Sequence, residues 1–208
     1  MKINKLSIAA ACLWAFVAAP AEGALFLSIN PSNQVVSSPS SGNFFDVVLN
    51  NTSASSFAIA GFSYELSVGT TDFVFAGAST GSPLYLFLGD SFADSNNSGD
   101  IRTSPNGQTL AASDLTDSGL AITLAGNSTA SLGRVTFSIL SGAPTGPIAI
   151  TFGTGPGTSL SDASGNAITL DASVNGQVTV DNSVVPEPSS AFLMILALPA
   201  VAILRKRR

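Results

Sequence analysis

Histidine is absent from the 208 residues, and cysteine and tryptophan occur once each, as Cys12 and Trp14. Both single residues sit in an apolar stretch near the N-terminus, so the body of the chain has none of the three. Nucleophilic catalysis of the Ser-His or Cys-His kind is thereby excluded for that body. Zinc and similar metals lose their usual nitrogen and sulfur ligands, and no internal disulfide can form. Positive charge is scarce as well: 8 basic residues stand against 13 acidic ones. Six of the basic residues are terminal: Lys2, Lys5, Arg205, Lys206, Arg207 and Arg208. Between Glu22 and Asp181 only Arg102 and Arg134 face 12 acids, a balance of −10. A field of that sign argues against nucleic acid or anionic lipid as a partner and suits solubility, cations or neutral polysaccharide. No apolar run reaches the roughly 20 residues that a comfortable membrane span requires.

What is present at the N-terminus has the organisation of an export signal. Lys2 and Lys5 precede the apolar stretch Leu6 to Ala18, 13 residues long, and Ala19-Pro20-Ala21 follows with small residues before a cleavage point. This reads as a secretory signal peptide over residues 1–21, too short in its apolar part for a stable transmembrane helix. Cleavage is expected after Ala21, with Gly23 as second choice. Lipidation at Cys12 is not expected, because Ala9-Ala10-Ala11 precedes it and it lies within the apolar stretch instead of ending it.

The C-terminal 23 residues have three parts: Pro186-Glu187-Pro188, the apolar run Ala191 to Leu204, and the basic block Arg205-Lys206-Arg207-Arg208. The run of 14 residues would span about 21 Å as a helix, against about 30 Å of hydrocarbon. Flanking serines and snorkelling basic side chains narrow that mismatch, while Pro199 removes a backbone donor inside the run. The basic block favours the cytoplasmic side, which places the body outside. One reading is a weak membrane anchor. The other is a processed tail, because the arrangement resembles the PEP-CTERM sorting signal of Gram-negative bacteria. That resemblance implies recognition by an exosortase, a membrane-embedded cysteine-type transpeptidase, after export by the secretion machinery. It further implies cleavage near the motif and transfer to the cell surface or exopolysaccharide matrix. Pro186, Glu187 and Pro188 would then be substrate residues, with transient membrane association through 191–204.

The body, residues 22–180, has an ordinary single-domain length and is followed by a linker at 181–185. At that size folding buries about 70% of the unfolded chain's surface, enough for a core without staples. Short runs rich in Val, Ile, Phe and Thr alternate with Gly, Ser, Asn, Asp and Pro clusters. Strand-like runs are Leu25 to Ile29, Phe44 to Leu49, Phe62 to Val68, Phe73 to Phe75 and Leu84 to Leu88. Others are Leu120 to Leu124, Val135 to Leu140, Ile148 to Phe152, Ile168 to Leu170 and Gln177 to Val180. Period-two alternation and the lack of a helical stripe predict an all-β sandwich. Phe44-Phe45-Asp46-Val47-Val48-Leu49, Ile59-Ala60-Gly61-Phe62-Ser63-Tyr64-Glu65-Leu66 and Thr71-Asp72-Phe73-Val74-Phe75 resemble the early strands of cohesin-type domains. Ser131-Leu132-Gly133-Arg134-Val135-Thr136-Phe137 and Gly176-Gln177-Val178-Thr179-Val180 resemble the later ones. The resemblance implies a jelly roll of about nine strands that binds partners through a sheet face. The sequence carries no dockerin and no sibling cohesin.

Oxygen ligands are the remaining candidates for chemistry. In Asp94-Ser95-Asn96-Asn97-Ser98-Gly99-Asp100-Ile101, Asp94, Asn96 and Ser98 occupy the first, third and fifth positions of a calcium loop, with Asp100 following the glycine. The twelfth position, which should be a bidentate Glu, is Pro105, and no helical pattern flanks the loop. A solvated turn is the plainer reading, and no metal or other cofactor is assigned, with calcium held open as an alternative. Asp162-Ala163-Ser164-Gly165-Asn166 reads as a hairpin turn. Paired carboxylates, from Glu65 and the aspartates, would be needed for a glycosidase, yet these acids sit mostly in turn-like stretches. The Asn-x-Ser/Thr triplets at Asn50, Asn51, Asn96 and Asn127 carry no weight. The expectation is a non-catalytic structural or adhesive module contacting exopolysaccharide or other matrix proteins. Its alternatives are a carbohydrate-active enzyme using paired aspartates and a calcium-dependent binding module.

Overall fold

Alternation in Gly61–Val68 sets one side of the central strand: Phe62, Tyr64, Leu66 and Val68 are buried, while Ser63, Glu65 and Ser67 remain partly exposed. The same two-residue rule recurs along the chain and builds two sheets around one apolar layer. The computed structural model describes residues 24–96, 102–103, 107–153 and 157–182, with only the backbone at 95–96 and 102–103. In chain order the strands are β1 (Leu25–Asn30), β2 (Asn33–Val36), β3 (Ser40–Asn51), β4 (Phe57–Ile59), β5 (Gly61–Val68) and β6 (Phe73–Ser79). A short helix α1 (Phe92–Asn96) precedes β7 (Arg102–Thr103), β8 (Thr109–Leu115), β9 (Ile122–Leu124) and β10 (Ser128–Ile139). The series ends with β11 (Gly146–Phe152), β12 (Ser159–Ser161), β13 (Ala167–Ile168), β14 (Ala172–Val174) and β15 (Gly176–Val180). Among these fifteen segments, nine run for four residues or more, in keeping with the nine strands that the jelly-roll expectation implied.

The smaller sheet has the order β14-β1-β3-β10-β6, antiparallel except for the parallel pair of β1 and β14. In the larger sheet β5 is flanked by β8 on one edge. Its other edge is shared by β12, opposite Gly61 to Ser63, and β11, opposite Leu66 to Val68. β15 and β2 continue beyond β11, β7 lies outside β8, and β13 pairs with β12. β4 and β9 form a separate two-stranded ladder. The core fills from both sheets: Leu27, Val47, Leu49, Phe73, Val135 and Phe137 from the smaller meet Tyr64, Leu66, Leu110, Ile150 and Val178 from the larger. Phe137 stacks on Phe73 with centroids 4.6 Å apart and lies 5.8 Å from Phe45, so one ring knits three strands of the smaller sheet. At β10 the register shifts between Ser131 and Gly133, a β-bulge that admits an extra residue.

Several sequence expectations are corrected here. Leu84 to Leu88 is a run of turns, not a strand: Tyr85 N–H bonds to the Ser82 carbonyl at 3.0 Å and Leu88 N–H to the Tyr85 carbonyl at 3.2 Å. Tyr85, Leu86 and Phe87 are all buried in succession, which a strand with alternating sides cannot achieve. Leu120 is exposed and only Ile122–Leu124 of its run pairs, while the run at Ile168 is reduced to Ala167–Ile168. The strand Thr109–Leu115 was not anticipated, because its inward positions are the modest Leu110 and Ala112 and then an aspartate, Asp114. The Asp162 turn is as expected: its carboxylate accepts the Ser164 and Asn166 N–H groups at 2.8 and 2.9 Å and closes the hairpin between β12 and β13.

Because Phe137 is completely buried between rings, its replacement by alanine leaves a cavity that the rigid sheets cannot close. Phe137→Ala should cost about 4 kcal/mol of stability, measured as a lowered midpoint in urea at an unchanged slope.

Candidate functional site on the outer face of the larger sheet

The outward positions of β5 are Ser63, Glu65 and Ser67, and apart from Glu65 these and their neighbours across the ladder are small. Ser113, Ala111 and Thr109 stand opposite them on β8. On the other edge Ser159 lies opposite Ser63, with hydroxyls 3.0 Å apart, and Thr151 opposite Ser67, with hydroxyls 2.8 Å apart. The result is a face of short hydroxyl side chains with little relief. A trough of about 220 Å³ is set into it, its lining including Gly61, Ser63, Ser113, Leu115, Ser159 and Ser161. Gly61 makes the floor: a Cβ there would stand 2.8 Å from the Ser161 hydroxyl. Half-exposed Leu115 forms an apolar lip.

The outer face of the smaller sheet is different. Arg134 on β10 pairs with Asp46 on β3, Nε to Oδ1 at 2.9 Å and Nη2 to Oδ2 at 3.2 Å, and its guanidinium lies 4.1 Å from the centroid of Phe44. The hydrogen bond to Asp46 raises the Arg134 pKa, so this cation is fixed in place and shields an exposed ring.

Behind the trough, Asp114 holds the site together from inside. The residue is 7% exposed and its carboxylate accepts four hydrogen bonds. Oδ1 takes the N–H groups of Leu115 at 2.8 Å and Ala93 at 2.9 Å. Oδ2 takes the hydroxyls of Ser91 at 2.6 Å and of Tyr85. Ser91 in turn caps α1, its hydroxyl accepting the Asp94 N–H at 3.1 Å. One buried charge thus ties β8, the turn at residues 84–88 and α1 into a unit. Burial, and then the adjacent Asp114, push the Tyr85 hydroxyl far above its ordinary pKa, so it stays a donor; burial does the same to Tyr64.

Asp94 lies within α1 instead of opening a loop, and its carboxylate accepts the Thr80 hydroxyl. Asn96 ends that helix, while Ser98 and Asp100 lie outside the described residues. Among the described residues no three Asp or Glu side chains converge as a metal cluster. Glu65 has Ala111 across the ladder and is packed by the glycines at 153 and 157, with no carboxylate opposite it on β8. Asp72, Asp90 and Asp171 accept hydrogen bonds from Thr70, Ser118 and the Leu25 N–H. Ala19, Ala21, Pro186, Glu187, Pro188, Arg205, Lys206, Arg207 and Arg208 lie outside the described residues, as does the run 191–204. No helix among the described residues is long and apolar enough to cross a membrane. Sequence reasoning missed Asp114; the period-two phase shared with Leu110 and Ala112 was the available signal.

Asp114→Ala would strip four donors of their acceptor, two of them backbone. It should cost about 3 kcal/mol and speed amide exchange at Ala93, Asp94 and Leu115 ahead of the core strands, as read by hydrogen exchange. The tyrosines add a pH dependence. A hydroxyl whose pKa is raised on folding contributes stability below its unfolded value near 10, lost as pH rises above it. The melting temperature should fall steeply above about pH 10, and less steeply in Tyr85→Phe.

No protein-family model matches the sequence, and no curated protein matches it. Solved structures do. A cohesin from Clostridium acetobutylicum in solution is 20% identical, with a TM-score of 0.57 over 78% of this chain and 94% of that one. The cohesin–dockerin complex of type I from Clostridium thermocellum gives 14% identity and 0.54, over 79% and 97%. A non-cellulosomal cohesin from the archaeon Archaeoglobus fulgidus gives 16% and 0.50, over 84% and 98%. At these identities the likeness is one of fold, and the fold of residues 24–182 is a cohesin-like jelly-roll β-sandwich.

Proposed function

We propose that this chain is an exported, non-catalytic binding module of the cell surface or extracellular matrix, contacting polysaccharide or other matrix proteins through the outer face of its larger sheet. The observation that carries the reading is the hydroxyl-lined face with its shallow trough, on a cohesin-like sandwich. A broad face of short side chains orders few rotamers when it is covered, and its hydroxyls offer donors and acceptors to a neutral partner. Cohesins of similar fold are solved in complex with dockerins, which supports a protein-binding use of the scaffold. The strong negative balance of the body fits a neutral partner better than an anionic one. The terminal segments complete the proposal: export through residues 1–21, transient hold by 191–204, and processing at Pro186-Glu187-Pro188 by an exosortase-type enzyme.

Pull-down of exopolysaccharide and matrix proteins from the producing cells by the purified protein tests the face. Ser113→Arg places a long charged side chain on the exposed ladder and should weaken capture at least about tenfold without changing the melting temperature. Capture indifferent to Ser113→Arg would sink the face. Cleavage of the polysaccharide abolished by Asp→Asn changes would sink the non-catalytic reading in favour of a carbohydrate-active enzyme. A melting temperature raised by calcium in the wild type but not in Asp94→Ala would turn the module into a calcium-dependent one. Intact-mass measurement of the native protein tests the tail: loss of Arg208 and its apolar run is expected, and a membrane-bound chain ending at Arg208 would favour a simple anchor.

A further inference from the structure

Directly behind the trough lies a pocket with room for about 30 Å³ of water-sized guests, closed at its inner end by Tyr64 and partly open toward Thr80, Ala93 and Ser113. Phe62, Tyr64 and Asp114 line it from the larger sheet, Ser79 and Gly133 from the smaller, and Tyr85 from the turn segment. Phe62, Ser113 and Asp114 are shared with the trough, so pocket and trough are separated by little more than the sheet itself. Tyr64 is wholly buried and stacks on Phe62 with centroids 6.0 Å apart, yet its hydroxyl has no hydrogen-bond partner within the protein. The β-bulge in β10 opens the space in front of it. A Cβ on Gly133 would stand 3.1 Å from the Tyr64 hydroxyl and 3.3 Å from the Ser79 carbonyl oxygen, so both polar atoms border the same gap.

We propose that this cavity is a binding site for a neutral, water-sized hydroxyl molecule, in ordinary solution water itself, which accepts a hydrogen bond from Tyr64 and bridges the two sheets. Size limits the guest: a water needs roughly 10–15 Å³ of such space, so the cavity takes one or two molecules of that size and no sugar ring. Charge limits it further. An anion would sit among Asp114 and the field of Asp46 that already acts on Tyr64. Calcium asks for six to eight oxygens, and Asp114 is already engaged by four donors. A neutral guest takes the Tyr64 O–H and returns a hydrogen bond toward the Ser79 carbonyl, the side on which the smaller sheet lacks a side chain. This is independent of what binds the outer face.

Water-selective NMR on the purified protein, together with the Tyr64→Phe variant, tests the assignment. The wild type should show a cross-peak from long-lived water to the Gly133 amide or the Tyr64 ring. Tyr64→Phe, which keeps the ring and removes only the hydroxyl, should lose that cross-peak at Gly133 and melt at the same or a lower temperature. A dry cavity predicts the reverse, because deleting an unsatisfied buried hydroxyl stabilises a fold. Absence of the cross-peak in the wild type, or a raised melting temperature in Tyr64→Phe, overturns the proposal.

Discussion

The apolar layer shared by the two sheets carries this structure, because the body between Ala24 and Asn182 contains no cysteine and has no covalent staple. Most strands of the two main sheets feed the layer by alternation, broken in β10 where the bulge buries Ala130 to Gly133 in succession, so the layer also determines which side chains remain outside. Phe45, Val47 and Leu49 can face inward from β3 only if Phe44, Asp46 and Val48 face outward, and β5 obeys the same constraint. The Arg134–Asp46 pair over Phe44 and the serine ladder of the larger sheet are therefore consequences of one burial pattern.

Against this apolar background the buried polar groups are the informative exceptions. Asp114 sits where alternation demands a core residue, and its charge is tolerated because four donors converge on it. The arrangement replaces a second apolar contact with a link between β8, the turn segment and α1, at the rim of the trough. Tyr64 is the opposite case, its ring fully integrated in the aromatic stack and its hydroxyl directed to a gap that the bulge at Gly133 creates. A pure hydrocarbon core would need neither. Both groups line the pocket behind the trough, whereas Asn51, Ser82 and Ser131, also buried and polar, do not.

Much of the fold was legible in the chain. The inward residues of β1, β3, β5 and β10 follow from period two, and the Asp162 turn from its Asx chemistry. The errors have one cause. Leu84 to Leu88 has the composition of a strand, but three consecutive buried side chains require a turn that rotates each residue inward, and only the surrounding sheets impose that. Thr109–Leu115 has the alternation of a strand but small inward residues, so its phase was hidden until pairing with β5 displayed it.

The all-β class, the acidic body and the absence of histidine and cysteine chemistry in the body are legible in the chain alone, because composition and local periodicity need no partner to be read. The chain also carries the C-terminal arrangement of Pro186-Glu187-Pro188, a 14-residue apolar run and a basic block. Tertiary structure alone decided the site. Ser63, Ser113 and Ser159 come from three distant stretches and become neighbours through strand register, which a linear sequence does not state. Asp114 and Tyr64 acquire their roles in the same way, since a buried charge or hydroxyl is defined by the atoms that close around it.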